Sequence, residues 1–498
     1  MVGTIRKKSF VVSIALFVST LMALSSWAVS SPVAASPDES VHLAGIWCAN
    51  GIVAGQCEMA QDGRPIVPAK LNNWCYQHLE NESAKCTSRI DIDEMIPIRS
   101  ATEPNVFLKS LELLSGSEIA TRVIAMRIAT VSFLALMVAA LFSLSDRRHR
   151  LAIVLTCGVI FVPAGIYFVS AIHPSGLAAS FLLIFGISLS QITKLKLSKQ
   201  KLPLKLIALS IASLLFSFQV RSEAFIFAIA IASIFLATTW FTESQLRLSS
   251  KLRLVLAATV VSGALISLLI NYSSLPLTLN VWGAPLNPER SALNVAGTNF
   301  KKLPSMYLGN FGYWGLGALD VPLPMIVWSS VGIVFVGIMS INAMSSSRQN
   351  LTFGTFAVLF SAMLILSILQ SSKLYVGEQM QPRYILPLLA MAFAIFIANG
   401  SMSMPDKVNF VYLSTISILL LSVANSLSLW TMLRRYTSGL DVGSANLNYK
   451  REWWWDFPLD PNQVWLLGTV SFTTALALGI YSVVLTKQYI PMQKMDKS

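Results

Sequence analysis

Charge is scarce in this chain. Asp, Glu, Lys and Arg make up 12% of its 498 residues, about half the share found in a soluble domain. So few charges exclude an ordinary water-soluble enzyme. Acids are scarcer than bases, 24 against 37. The resulting charge of +13 does not imply a nucleic-acid partner. Much of the Lys and Arg sits in short loops between apolar runs, which is the orientation signal of membrane proteins. Cysteine occurs five times with no C-x-x-C pair, so the common zinc spacings are missing. No internal repeat is visible, and paired repeats are what many secondary transporters show.

What the chain has in abundance is long apolar runs. After a basic tail with Arg6, Lys7 and Lys8, residues 9–29 are apolar and long enough to span a bilayer. The run is long for a signal-peptide core, so a retained first helix is favoured over cleavage after Ala35. Further runs follow at 123–144, 151–170, 175–190, 204–220, 224–242, 254–272, 324–343, 351–369, 384–401, 408–430 and 464–485. They predict an all-α polytopic membrane protein of about twelve transmembrane helices. Seven regions follow: an N-terminal helix (1–29), a polar loop (30–122), helices two to seven (123–272), a Gly/aromatic loop (273–323), helices eight to eleven (324–430), a Trp-rich loop (431–463), and a last helix with a basic tail (464–498). With the N-terminus inside, twenty of the 24 acids fall in outer loops; only Asp146, Glu243, Asp406 and Asp496 fall inside. Polar and chemical parts are therefore expected outside.

The 30–122 loop holds Cys48, Cys57, Cys75 and Cys86, while Cys157 lies in an apolar run. Four cysteines in one extracytoplasmic loop suggest two disulfides. Of three possible pairings, the sequential one (Cys48–Cys57, Cys75–Cys86) is preferred. Phe107, Leu111 and Leu114 share a helical face with Lys109 and Glu112 elsewhere, which reads as an amphipathic juxtamembrane helix.

Several outer stretches carry candidate chemistry. In S-P-D-E-S-V-H, Asp38 and His42 lie one helical turn apart with Glu39 beside them. The stretch reads either as a capped helix start with solvated acids or as a catalytic carboxylate group. Arg221 and Glu223 stand in a very short hairpin, either as a local interface pair or as a cation seat for a lipid phosphate. Lys373, Glu378, Gln381, Arg383 and Tyr384 precede another run, where an Arg at a helix N-terminus can seat a phosphate. The Tyr307–Pro324 stretch, rich in Gly and aromatic residues and carrying Asp320, cannot be a regular spanning helix. Trp453, Trp454 and Trp455 are expected in an interfacial belt.

Taken in order, P-D-E-x-x-H, G-N-F-G-Y-W…D-V-P-L-P and Q-P-R-Y-I-L-P resemble a family of bacterial polytopic membrane proteins, domain of unknown function 2142. That family is similar in layout to the GT-C class of lipid-linked glycosyltransferases. The chain departs from it in places. Ser36 replaces a first proline, Pro382 replaces a glycine, the four cysteines are additional, and His173-Pro174-Ser175-Gly176 stands where N-P-D-G is usual. The resemblance implies a GT-C-like fold in a bacterial plasma membrane, with the active site on the extracytoplasmic side. It implies transfer of a sugar from a polyprenyl-phosphate donor to an envelope glycan or glycolipid acceptor. Asp38 or Glu39 would be the general base, with Asp38 preferred. His42, Arg221, Glu223, Lys373, Gln381, Arg383, Tyr384 and Asp320 would bind substrate. An acidic outer site can take a divalent ion, but no cofactor or ligand set is spelled out. The alternatives are a transporter or flippase of an envelope precursor and a scaffold without chemistry. The lipid bilayer is the partner in every case.

Overall fold

In the computed structural model the apolar runs fold as helices, apart from 254–272, which lies outside the described residues. The structure describes residues 2–72, 74–91, 94–98, 109–111, 118–242, 286–400 and 407–485. Its helices are α1 (Val2–Ala28), α2 (Glu39–Trp47), α3 (Ile119–Leu144), α4 (Arg147–Val159), α5 (Ala164–Ser170), α6 (Pro174–Leu197), α7 (Leu204–Val220), α8 (Ser222–Thr242), α9 (Ala292–Asn310), α10 (Met325–Ser345), α11 (Arg348–Ser371), α12 (Leu386–Asn399), α13 (Lys407–Thr437) and α14 (Pro461–Leu485).

Among the described residues, seven helices are long and apolar enough to cross a membrane: α1, α3, α6, α10, α11, α13 and α14. The expected figure of about twelve is therefore not reached by helices of spanning length. The 151–170 run is not one helix, because α4 and α5 meet at 91°. Pro163 stands at that junction, where it lacks an N–H and cannot continue α4. Helices α7 and α12 and the Glu223–Thr239 stretch of α8 are apolar but shorter. Of the amphipathic segment expected around Phe107 and Leu114, only 109–111 are described, and Leu111 is buried.

Helix α6 is apolar nearly all round and enclosed along most of its length, as expected of a central helix. It packs chiefly on α12 and α7, while α1 packs on α14 and α3. Gly186 lets α6 approach Met391 of α12, since a Cβ there would lie 2.8 Å from its side chain. Helices α10, α11 and α13 turn Ile333, Met344, Val358 and Leu419 outward, as a lipid-facing surface requires.

One end of the bundle carries a folded cap. Both disulfides form in the sequential pairing, Cys48–Cys57 and Cys75–Cys86. The cysteine loop is not irregular throughout. It contains a small antiparallel sheet, β1 (Glu58–Met59), β2 (Pro65–Pro68) and β3 (Met95–Pro97), with β2 in the centre. The cap joins loops far apart in sequence. Arg435, at the end of α13, donates to Tyr76 O at 2.5 Å, to Glu82 O, and to Asp320 Oδ2 at 3.1 Å. Ser83 bonds Glu452 at 2.7 Å, and Leu440 N donates to Glu80 O. Trp453 and Trp455 do not form the expected lipid-facing belt. Both are buried, and the Trp455 indole donates to Val29 O at 2.8 Å. The opposite end is held by Asp146, which bonds His149 at 2.8 Å and Lys194 at 2.6 Å.

Candidate functional site

The site grows from the turn between α1 and α2. Asp38 caps α2 with its backbone, accepting the Val41 and His42 N–H groups, but its side chain makes no capping bond. Its φ of 61° is left-handed, a conformation Asp tolerates better than most residues. Freed from capping, the half-exposed carboxylate meets Arg383 Nη2 at 2.6 Å. The capped-start reading therefore holds for the backbone and fails for the side chain.

Arg383 sits in a short 3₁₀ turn, Pro382–Tyr384, just before α12. Its guanidinium is buried, donates to Gln381 Oε1, and lies 5.1 Å from the Tyr384 ring. Arg221 approaches the same ring from the α7–α8 junction, at 4.8 Å. Arg221 is paired with both Glu223 oxygens, at 3.1 and 3.2 Å, and donates to Ser175 Oγ at the start of α6. Asp38, Arg221, Glu223, Gln381, Arg383 and Tyr384 thus form one cluster at the capped end.

His42 belongs to this cluster. Its ring lies edge-on to His173, with centroids 5.7 Å apart. Removal from water pushes its imidazolium down to about 4. Asp38 pulls the other way, and Arg221 and Arg383 push it further down. His42 is therefore neutral at physiological pH.

Three expected members lie elsewhere or play another part. Glu39 is fully buried and bound by Arg127 through both oxygens, at 2.7 and 3.0 Å, and also accepts Ile172 N–H. Arg127 fills its remaining valences with the carbonyls of Ala28, Ser31 and Pro32. Glu39 therefore stitches α2 to α1, α3 and the α5–α6 turn. Asp320 is buried under the cap, accepting from Arg435, Ala318 N and His78 N. Lys373 reaches Pro288 O at 2.5 Å, beside the Arg290–Glu378 pair, and does not join the cluster.

The sequence assigns no role to Arg127 or His173. An arginine inside an apolar run was the available signal for the first, since such a charge needs a partner. For the second it was the His that departs from N-P-D-G. Among the described residues, no three His, Cys, Asp or Glu side chains gather to hold a metal ion.

Comparison with known proteins matches the family model described as "Predicted membrane protein (DUF2142)" over residues 21–392. No curated protein and no solved structure matches the chain. The matched span runs from within α1 to within α12 and includes every member of the cluster, and the chain belongs to this family of predicted membrane proteins.

Proposed function

We propose that the chain is a membrane glycosyltransferase. It would move a sugar from a polyprenyl-phosphate donor to a glycan or glycolipid acceptor of the cell envelope, at the capped, extracytoplasmic end of the bundle. The observation that carries this reading is the meeting of one half-exposed carboxylate, Asp38, with two largely buried guanidiniums, Arg383 and Arg221, around the Tyr384 ring.

The chemistry follows from those groups. A sugar hydroxyl is a poor nucleophile, and a placed carboxylate can accept its proton as it attacks the anomeric carbon. Asp38 Oδ is the accessible oxygen, so it is the base. Glu39, with both oxygens bound by Arg127, positions the turn. As the new C–O bond forms, the bond from the anomeric carbon to the phosphate oxygen breaks. The lipid phosphate departs as an anion and needs electrostatic stabilisation more than a proton. Arg383 and Arg221 supply fixed positive charge, and a guanidinium fork suits phosphate oxygens. An apolar cavity of about 140 Å³, lined by Leu24 and Trp27 of α1, Leu134 of α3, and Ile166 and Val169 of α5, offers an apolar surface for part of the lipid. A transporter would be expected to carry its ionisable groups near mid-depth, whereas Asp38, Arg221 and Arg383 stand at helix ends.

The test is transfer by purified protein, with a panel of polyprenyl-phosphate sugars and envelope glycan acceptors. Wild type is expected to transfer, while Asp38→Asn folds and loses activity by about a hundredfold or more. Full activity in Asp38→Asn would overturn the base assignment. Movement of the lipid across vesicles without transfer would favour transport.

A further inference from the structure

His173 is where the chain departs most sharply from N-P-D-G. It is 2% exposed and caps α6, its Nδ1 accepting the Ser175 N–H at 3.1 Å. An Nδ1 that accepts carries no proton, so the neutral ring holds its hydrogen on Nε2. That Nε2 is buried and has no hydrogen-bond partner among the described residues. An unpaired buried donor is expensive, on the order of 1–3 kcal/mol. Native proteins keep few of them, and they concentrate where a ligand or a mechanism uses them.

The surroundings say what such a donor would serve. The ring is fixed between Phe168, at 4.9 Å, and the edge of His42, at 5.7 Å. Arg383 lies 6.0 Å from the same Phe168 ring, and its Nε is a second buried donor without a partner among the described residues. The site is thus rich in donors: two orphaned N–H groups, the Arg221 guanidinium on Ser175, and the N-terminus of the 24-residue α6. A helix N-terminus carries partial positive charge. Negative charge here comes from Asp38, Glu223 and, on the Ile172 N–H, Glu39, each already paired with a guanidinium.

We propose that His173 is a phosphate-binding residue, its neutral Nε2–H donating beside Arg383 Nε–H to the phosphate oxygens of the lipid-linked donor. This rests on the function proposed above. A neutral donor suits the place, because a third cation beside two guanidiniums would be opposed by both. Burial first, then Arg383, His42 and Arg221, hold the His173 imidazolium well below its usual range.

The experiment separates capping from phosphate binding. Asn is a strong N-cap but too short to place a donor where Nε2 sits, and Gln reaches that place with a neutral amide. Purified full-length protein is titrated with polyprenyl phosphate, the matching polyprenol and inorganic phosphate, with thermal unfolding as readout. Wild type is expected to bind polyprenyl phosphate more tightly than polyprenol. His173→Asn should unfold at the wild-type temperature without ligand yet bind polyprenyl phosphate about tenfold more weakly, with its polyprenol affinity unchanged. His173→Gln should recover most of that loss. Equal affinity of His173→Asn and wild type for polyprenyl phosphate would overturn the assignment and leave the transferase reading standing. An equal loss toward polyprenol would reduce His173 to packing. If wild type fails to tell phosphate from alcohol, the donor reading itself falls. Protection by inorganic phosphate as strong as by the lipid would support the seat and assign it to free phosphate.

Discussion

Asp38 is pulled in two directions, and its double role yields a prediction beyond loss of activity. Its carboxylate occupies Arg383, the cation that a lipid phosphate would use. A half-exposed ion pair contributes only about 0.2–1 kcal/mol. Donor phosphate can therefore displace Asp38 from Arg383 and release it for the acceptor. Asp38→Asn should then bind polyprenyl phosphate more tightly than wild type, by up to about fivefold, while failing to transfer. Weaker binding by Asp38→Asn, measured by the same thermal titration, would show that the pair organises the seat instead of competing with it. The neighbouring acid behaves differently. Arg127→Met would strand Glu39 as a buried, unpaired carboxylate and orphan three carbonyls. A loss of about 3–5 kcal/mol is expected, read from thermal or denaturant unfolding in detergent. Adding Glu39→Leu should restore only part of it, because the carbonyls stay unpaired. At this scale Asp38, Arg221 and Arg383 were legible in the sequence, since each is a polar residue at the edge of an apolar run. Between adjacent Asp38 and Glu39 the sequence supported only a preference for Asp38, because the physical difference lies in which one faces Arg127.

Among the elements, the α5–α6 turn sets the site's dimensions. Gly176 sits in the first turn of α6, and a Cβ there would lie 2.3 Å from the Phe168 carbonyl carbon and 2.4 Å from its oxygen. Those atoms are backbone and cannot rotate away, so Gly176→Ala must push α5 from α6. That shift would carry Phe168, His173 and Ser175 out of register with Arg383 and Arg221. A destabilisation of about 1–3 kcal/mol is expected, together with loss of polyprenyl-phosphate binding, both read in one titration. Retained binding in a destabilised variant would detach the site from this turn. This turn was legible as the gap between the 151–170 and 175–190 runs, but the α4–α5 break that aims α5 at it was invisible to hydropathy, which reads 151–170 as one run. Only Pro163 hints at the break, and a proline alone gives no angle. That the Tyr307–Pro324 stretch is no regular spanning helix was legible from its glycines and prolines, although α9 runs into it as far as Asn310, but the sequence could not show that Asp320 would be claimed by Arg435.

For the whole molecule, the strongest regularity is the sorting of loops between two ends. Alternation from the first helix puts the cysteine loop, the Tyr307–Pro324 stretch and residues 431–463 on one side, and Arg435, Asp320, Glu80 and Glu452 join them there. The same alternation puts the Arg147 loop, the Lys194–Lys205 loop and the end of α14 on the other side. There Lys194 meets Asp146, and Arg147 Nε donates to Val483 O at 2.6 Å. Which end faces outward rests on the basic loops and on disulfides, which persist in oxidising compartments. On both signals the capped end is expected outside. Asp441 and Gln200 are exposed at opposite ends, and α6 between them is about 36 Å long, enough to cross the hydrocarbon core. Asp441→Cys should react with a membrane-impermeant maleimide on intact cells, and Gln200→Cys only after permeabilisation. The reverse pattern would invert the protein and place Asp38 inside, where an extracytoplasmic acceptor could not reach it. Labelling of both positions on intact cells would separate them from the two ends of one bundle and remove the topological basis for the shared site.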